Sequence, residues 1–150
     1  MKIYLAGPMR GYPKWNADAF DRLQKQWEEA GHDVWSPIEM DRKRGVNPSE
    51  LTEDHLDEIG RDRCWLSSVL ISDLKAIAHC EGIALLSGWE ESQGAKVEVA
   101  YGLFLEMKFF FAETMKEVSS KILAFLQVPL DVDTYQARYE AQHGRYIKGN

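Results

Sequence analysis

At 150 residues, with 45% hydrophobic and 28% charged side chains, the chain has the size and composition of one globular domain, which excludes a disordered or fibrous protein. A formal net charge of −6 argues against a polynucleotide partner, because such proteins present a basic face that releases counterions from the phosphate backbone. One small phosphorylated ligand stays compatible, since a few local donors hold a phosphate whatever the overall charge.

In chain order, Lys2 to Ala6 reads as a short buried strand that runs into the Gly and Pro punctuation of residues 7–11. The opening MKIYLAGPMRG has one Lys and an apolar run too short for a signal peptide or a membrane span, so a cytoplasmic protein without membrane contact is expected. From Asn16 to Ala30, Phe20, Leu23 and Trp27 recur at helical spacing and Gly31 supplies a stop. His32 to Ser36 reads as a second strand closed by Pro37, and Asp41 to Asn47 as a charged loop containing Gly45. Residues 48–63 are expected to hold a polar helix near the mouth of a site. A helix over Leu66 to His79 then precedes a third strand, Gly82 to Ser87, and a loop over 88–94. A helix from Ala95 to Glu106, a strand at Lys108 to Ala112 and a helix over Glu113 to Leu126 complete the pattern. The alternation predicts an α/β fold, a Rossmann-like (flavodoxin-like) three-layer arrangement with a mostly parallel sheet of four or five strands. Residues 1–112 form the expected catalytic core. Residues 113–150 add a helix and a polar, Tyr-rich tail that could serve as an oligomer arm.

Cys64 and Cys80 lack CxxC spacing and read as reduced core thiols. His32, His55, His79 and His143 are scattered without ligand spacing, so neither a metal nor another cofactor is expected.

Both loops of interest leave the carboxyl ends of strands, where ligands bind in open α/β sheets. In YLAGPMRG, Gly7 and Gly11 permit close backbone approach and Arg10 offers parallel donors for a phosphate. A tight turn with a solvated Arg explains the same residues. In SGWEESQGAKVEVAYG, Glu98 falls near the start of a helix whose apolar face is read as Val97, Ala100, Tyr101 and Phe104. A capping-box Glu would want Ser or Thr three residues earlier, where Ala95 stands. A helix N-terminus favours the ionised carboxylate, the state a nucleophile needs, although Glu in a first turn is also common on ordinary helices.

YLAGPMRG, SDLKAIAHCEGIALL and SQGAKVEVAYG together resemble the nucleoside 2-deoxyribosyltransferase-like superfamily, and most of all its nucleoside 5′-monophosphate N-hydrolases. The resemblance covers about residues 2–112. It implies that Glu98 is the nucleophile, that Tyr4 approaches its carboxylate, and that Asp73 helps place the sugar or the leaving base. It also implies that Arg10 and Ser92, with Gly94 in the same loop, hold a 5′-phosphate, which favours a nucleotide over a free nucleoside. Pro8 departs from the pattern, standing where those hydrolases carry a Ser, and so removes a hydroxyl and a backbone donor from the phosphate loop. Residues 89–91 make a bulky acidic loop that either selects the base or forms a solvated turn.

The implied reaction is attack of Glu98 on C1′, expulsion of the base through an oxocarbenium-like transition state, and hydrolysis of the glycosyl ester. Members of the superfamily are dimers or higher oligomers, so a homo-oligomer is implied as well. Simpler readings stand beside these roles: Ser72-Asp73 as a helix N-cap, and Tyr4 as a core strand residue. At the level of the whole protein, deoxyribosyl transfer, a module that binds a nucleotide without turnover, and an assembly role for residues 113–150 are the alternatives.

Overall fold

The computed structural model describes residues 1–127. Its sheet contains β1 (Lys2–Ala6), β2 (Asp33–Trp35), β3 (Gly82–Leu85), β4 (Lys108–Phe111) and β5 (Glu117–Val118). The strand order is β2-β1-β3-β4-β5. β1 to β4 run parallel, and β5 pairs antiparallel with β4. The helices are α1 (Ala17–Glu29), α2 (Pro37–Lys43), α3 (Glu53–Arg61), α4 (Arg63–Ile77), α5 (Gln93–Phe104) and α6 (Ser120–Gln127).

Alternation along the strands divides the core in two, because successive side chains of a strand point to opposite faces. Ile3, Leu5, Ala84 and Leu86 join one apolar cluster with Phe20, Leu23 and Trp27 of α1, Ile38 of α2 and Leu56 of α3. Tyr4, Ala6, Ile83 and Leu85 join the other, with Ala76 and Ile77 of α4, Ala95 and Val99 of α5 and Leu123 of α6. Each fully buried Leu, Ile or Phe in these clusters contributes about 1.5–3 kcal/mol. Trp27 also satisfies its indole N–H, which donates to the carbonyl of Ala112 at 2.8 Å.

The chain leaves β1 for the edge strand β2 and then crosses back to β3, so the strand order reverses between β1 and β3, the place where a crevice opens in sheets of this kind. Gly7 is required there. A Cβ on it would lie 2.6 Å from Cβ of Leu86, closer than two carbon atoms pack.

Several expected boundaries change. Residues 37–43 form α2 rather than a strand end and loop, because Pro37 occupies the first helical turn, where its fixed φ and missing N–H suit a helix start. Residues 113–119 are not helical. Met115 has φ of 57° in a turn, the N–H of Phe111 donates to Lys116 O at 2.9 Å, and β5 follows. The buried face of α5 is Ala95, Glu98, Val99 and Gly102, whereas Val97 and Phe104 are exposed. Small residues line that face because α5 lies close on the sheet: a Cβ on Gly102 would come 2.5 Å from Cδ1 of Ile83. Cys64 is exposed rather than in the core, and both cysteines are free thiols. Among the described residues no helix is long and apolar enough to cross a membrane. The part of the expected C-terminal arm beyond residue 127 lies outside the described residues.

Candidate active site

A cavity of about 520 Å³ opens where the sheet's strand order reverses, between the loop after β1 and the start of α5. Gly7, Arg10, Gly11, Asp73, Ser92, Gly94 and Glu98 all line it. Tyr4 lies behind this wall, wholly buried in the middle of β1. Its hydroxyl donates to Oε1 of Glu98 at 2.9 Å, across ninety-four residues of sequence. The simpler reading of Tyr4 as a core strand residue therefore holds for its ring but leaves out the hydroxyl, which is committed to the carboxylate.

Glu98 sits in the second turn of α5 rather than the first, on the buried face of the helix, and is 6% exposed. Burial pushes its carboxyl well above the usual carboxylate range, the charge of Asp73 adds to this, and the hydrogen bond from Tyr4 opposes it. The helix N-terminus is thus not what governs its charge; removal from water and two polar neighbours are. Tyr4 is pushed well above the ordinary tyrosine value by burial, then by Glu98 and Asp73, so it stays a hydrogen-bond donor across the physiological range.

Asp73 is not a helix cap. α4 begins ten residues earlier, where the carboxylate of Asp62 caps it by accepting from the N–H groups of Cys64 and Trp65 at 2.8 and 3.1 Å. Asp73 belongs to the third turn, is 7% exposed, and its Oδ1 is buried without a hydrogen-bond partner. Burial, and then the neighbouring Asp41, raise its carboxyl to about 7, while Arg44 pulls the other way.

Ser92 is the N-cap of α5, its Oγ accepting from Ala95 N at 3.2 Å. The hydroxyl proton is not used in that bond, and the first N–H groups of α5 lack intrahelical partners as at any helix start. Those donors make the cavity end at Ser92 to Gly94 suited to an anion. Arg10 is exposed, and its Nη1 donates to the carbonyl of Gly60 at the end of α3 at 3.1 Å. That bond steadies the guanidinium on the cavity rim, and four of its five donors are not spent on it.

Lys14, Trp15 and Asn16 all have positive φ, a conformation that costs each of them energy and persists only where the surroundings enforce it. Asn16 Nδ2 donates to Pro8 O at 3.0 Å, and Lys14 N donates to Oε1 of Glu53 at 2.9 Å. The strained turn puts Trp15 into the cavity wall. Trp89 is buried in the core beneath its loop, while Glu91 reaches the cavity.

Sequence reasoning missed Asp41 and Arg44. Asp41 lines the cavity, is 4% exposed, and accepts from Arg44 Nη1 at 2.7 Å. Burial raises its carboxyl to about 6 against the pull of Arg44. A helix starting at Pro37 would have put these residues on one face, since positions three apart are neighbours on a helix. Among the described residues no group of three or more His, Cys, Asp or Glu side chains is arranged to hold a metal ion.

The fold and cavity define a mixed α/β protein with a five-stranded, mostly parallel sheet and a ligand-sized cleft at the point where the strand order reverses. The chain belongs to the family described as Domain of unknown function (DUF4406), whose model matches residues 1–111. No curated protein matches the sequence.

Proposed function

We propose that the protein is an N-glycosidase that cleaves a nucleoside or deoxynucleoside 5′-monophosphate to free base and sugar phosphate, with Glu98 as nucleophile. The observation that carries this reading is the buried Tyr4 to Glu98 hydrogen bond at the wall of a cavity whose rim is built from glycines, Arg10 and the start of α5. Such a cavity has a carboxylate at one place and anion donors at another, as a sugar phosphate requires. The resemblance of the three sequence segments to the nucleoside 2-deoxyribosyltransferase-like superfamily supports the same assignment. The strand order 2-1-3-4-5, with helices on both sheet faces, fits a Rossmann-like, flavodoxin-like layering.

In this mechanism an oxygen of Glu98 bonds to C1′ as the C1′–N bond breaks, and the bonding pair leaves with the base. Water then attacks C1′ of the glycosyl ester, giving the sugar phosphate, freeing Glu98 and releasing a proton that balances the one the departed base takes up. Tyr4 holds the attacking carboxylate in place. Arg10, Gly7, Gly11, Ser92 and Gly94 receive the phosphate, and Asp73 lies toward the sugar or base. No cofactor enters the reaction, and we place it in the cytoplasm. Exposed Ile71 of α4 and Val97 and Phe104 of α5 support assembly as a homodimer or higher oligomer.

A panel of nucleoside 5′-monophosphates and their nucleosides, assayed by chromatography for released base, tests the reading. At least one nucleotide is expected to be cleaved, and faster than its nucleoside. Faster cleavage of the nucleoside would restore deoxyribosyl transfer. The burial that raises Glu98 favours a module that binds without turnover, and nucleotide binding with no base released from the whole panel would select that second reading.

A further inference from the structure

Gly60 stands inside α3, one residue before the helix ends at Arg61. Glycine is a poor helix former, because it loses more backbone freedom on folding than any other residue. The usual reason for one near a helix end is a left-handed conformation that closes the helix. That reason does not apply here: Gly60 has no positive φ, and Asp62, in extended conformation, is the C-cap of α3. The space a side chain would fill at this position is already taken by the cavity rim. A Cβ on Gly60 would lie 3.2 Å from Cδ of Arg10, 3.6 Å from its Cγ and 3.7 Å from Cζ2 of Trp15. We propose that Gly60 is a positioning residue for phosphate binding: its bare backbone seats the stem of Arg10, so that the guanidinium is in place before the ligand arrives. This inference rests on the assignment of Arg10 to the 5′-phosphate in the glycosidase reading, and it gives that grip a cause outside the phosphate loop.

Two contacts join Arg10 to this one residue. Nη1 of Arg10 donates to the carbonyl of Gly60 at 3.1 Å, and the alkyl stem lies where a side chain at position 60 would begin. An arginine held at two points does not have to be ordered when an anion binds, which removes a cost of binding. α3 serves as the anchor because it is itself fixed. Leu56 sits in the core, and Thr52 caps the start of the helix by accepting from His55 N. At that same end, Oε1 of Glu53 accepts from Lys14 N at 2.9 Å. The loop from Arg10 to Lys14 is therefore held at both of its ends by one helix.

A methyl group at position 60 disturbs the seat of Arg10 and nothing else in this arrangement. At 3.2 Å from Cδ it is too close for an ordinary contact, and the flexible stem gives way by a few tenths of an ångström before the helix does. The guanidinium lies further out along the same side chain, so it moves more than the stem and loses its hold on the Gly60 carbonyl. The helix tolerates the change, since alanine is the better helix former. Gly60→Ala thus has opposite consequences for the fold and for the grip on phosphate.

The test is Gly60→Ala, alone and combined with Arg10→Ala. Three quantities are measured: KM and kcat on a nucleoside 5′-monophosphate and on its nucleoside, calorimetric affinity for ribose 5-phosphate and 2-deoxyribose 5-phosphate, and melting temperature. Gly60→Ala should raise KM for the nucleotide by about threefold to tenfold, part of the effect of losing a charged hydrogen bond. Affinity for the sugar phosphate should weaken by a similar factor, while kcat and cleavage of the nucleoside stay close to wild type and melting is no lower. In the Arg10→Ala background the same substitution should change neither KM nor affinity, because the stem it displaces is gone and residues that act through one another are not additive. A purely structural role would lower melting and impair nucleotide and nucleoside alike. A nucleotide KM and a sugar-phosphate affinity unchanged in Gly60→Ala, or an effect that persists in full in the Arg10→Ala background, would overturn the inference and leave the glycosidase reading standing. Wild-type protein that binds the sugar phosphate but releases no base would overturn that reading, and the affinities would still decide the role of Gly60. Wild-type protein that binds neither sugar phosphate nor nucleotide would overturn both.

Discussion

Replacing Tyr4 by Phe removes one oxygen atom from the centre of the sheet and leaves the ring that packs there. Tyr4 is fully buried and its hydroxyl lies 2.9 Å from Oε1 of Glu98, so the substitution leaves that oxygen in a dry site without its donor. A buried hydrogen bond to a charged group is worth about 1.5–3 kcal/mol, and each 1.36 kcal/mol in the barrier is about a factor of ten in rate. Turnover in Tyr4→Phe should therefore fall by about tenfold to a hundredfold at neutral pH. The pH profile should move as well. The hydrogen bond from Tyr4 favours the ionised form of Glu98 against burial and the charge of Asp73; without it the carboxyl rises further, and the nucleophilic form is lost sooner as pH falls. The acidic limb of the profile should shift to higher pH, while Phe in the same space keeps melting within a few degrees of wild type. Steady-state base release across pH, with a melt on the same preparation, measures both. A variant with wild-type turnover and an unmoved acidic limb would refute the argument that Tyr4 tunes Glu98.

Arg10→Ala should raise KM for the nucleotide by about tenfold or more, from the loss of a charged hydrogen bond, with little change in kcat; an unchanged KM in initial-rate measurements would contradict the phosphate role. Gly102→Ala should cost about 1–3 kcal/mol in urea unfolding, because its Cβ would meet Cδ1 of Ile83 at 2.5 Å and Cζ of Phe109 at 3.0 Å; wild-type stability would mean that α5 lifts from the sheet freely. Asp73 and Asp41 are raised from 3.8 to about 7 and about 6, so the folded state holds protons that the unfolded chain has released. Their contribution to stability is full below about pH 4 and is lost as pH rises through about 6 to 7. Urea midpoints should accordingly fall from about pH 5 to about pH 8, and Asp73→Asn should flatten the slope; an equal slope in the variant would contradict the assignment of Asp73.

The four parallel strands and α1 were legible because their signals are local, whereas β5 lies in a stretch read as helix. Ile3 and Leu5 alternate with Tyr4 and Ala6, and Phe20, Leu23 and Trp27 repeat at helical spacing before Gly31, each pattern matching one buried face. α5 was located but turned the wrong way, since it is apolar on more than one side. Its tight contact with the sheet selects Ala95 and Gly102 rather than Val97 and Phe104, and a preference for large apolar residues cannot register a face built from small ones. The segment from Pro37 failed for a related reason: Pro ends strands and also opens helices, and only packing of Ile38 into the core decides between them. With that helix went Asp41 and Arg44. The carboxylate of Glu98 was found through its setting in a short motif, but its pairing with Tyr4 spans ninety-four residues and is legible only once β1 and α5 are placed side by side.

The central claim is that Glu98 performs chemistry rather than supporting a helix. Glu98→Gln keeps the shape of the side chain and can still accept from Tyr4, but it cannot attack as an anion. Base release from the preferred nucleoside 5′-monophosphate, measured with melting temperature on the same preparation, should fall by at least about three orders of magnitude, or about 4 kcal/mol in the barrier, with little change in melting. A Glu98→Gln protein that melts slightly lower and still releases base at close to the wild-type rate would contradict the account.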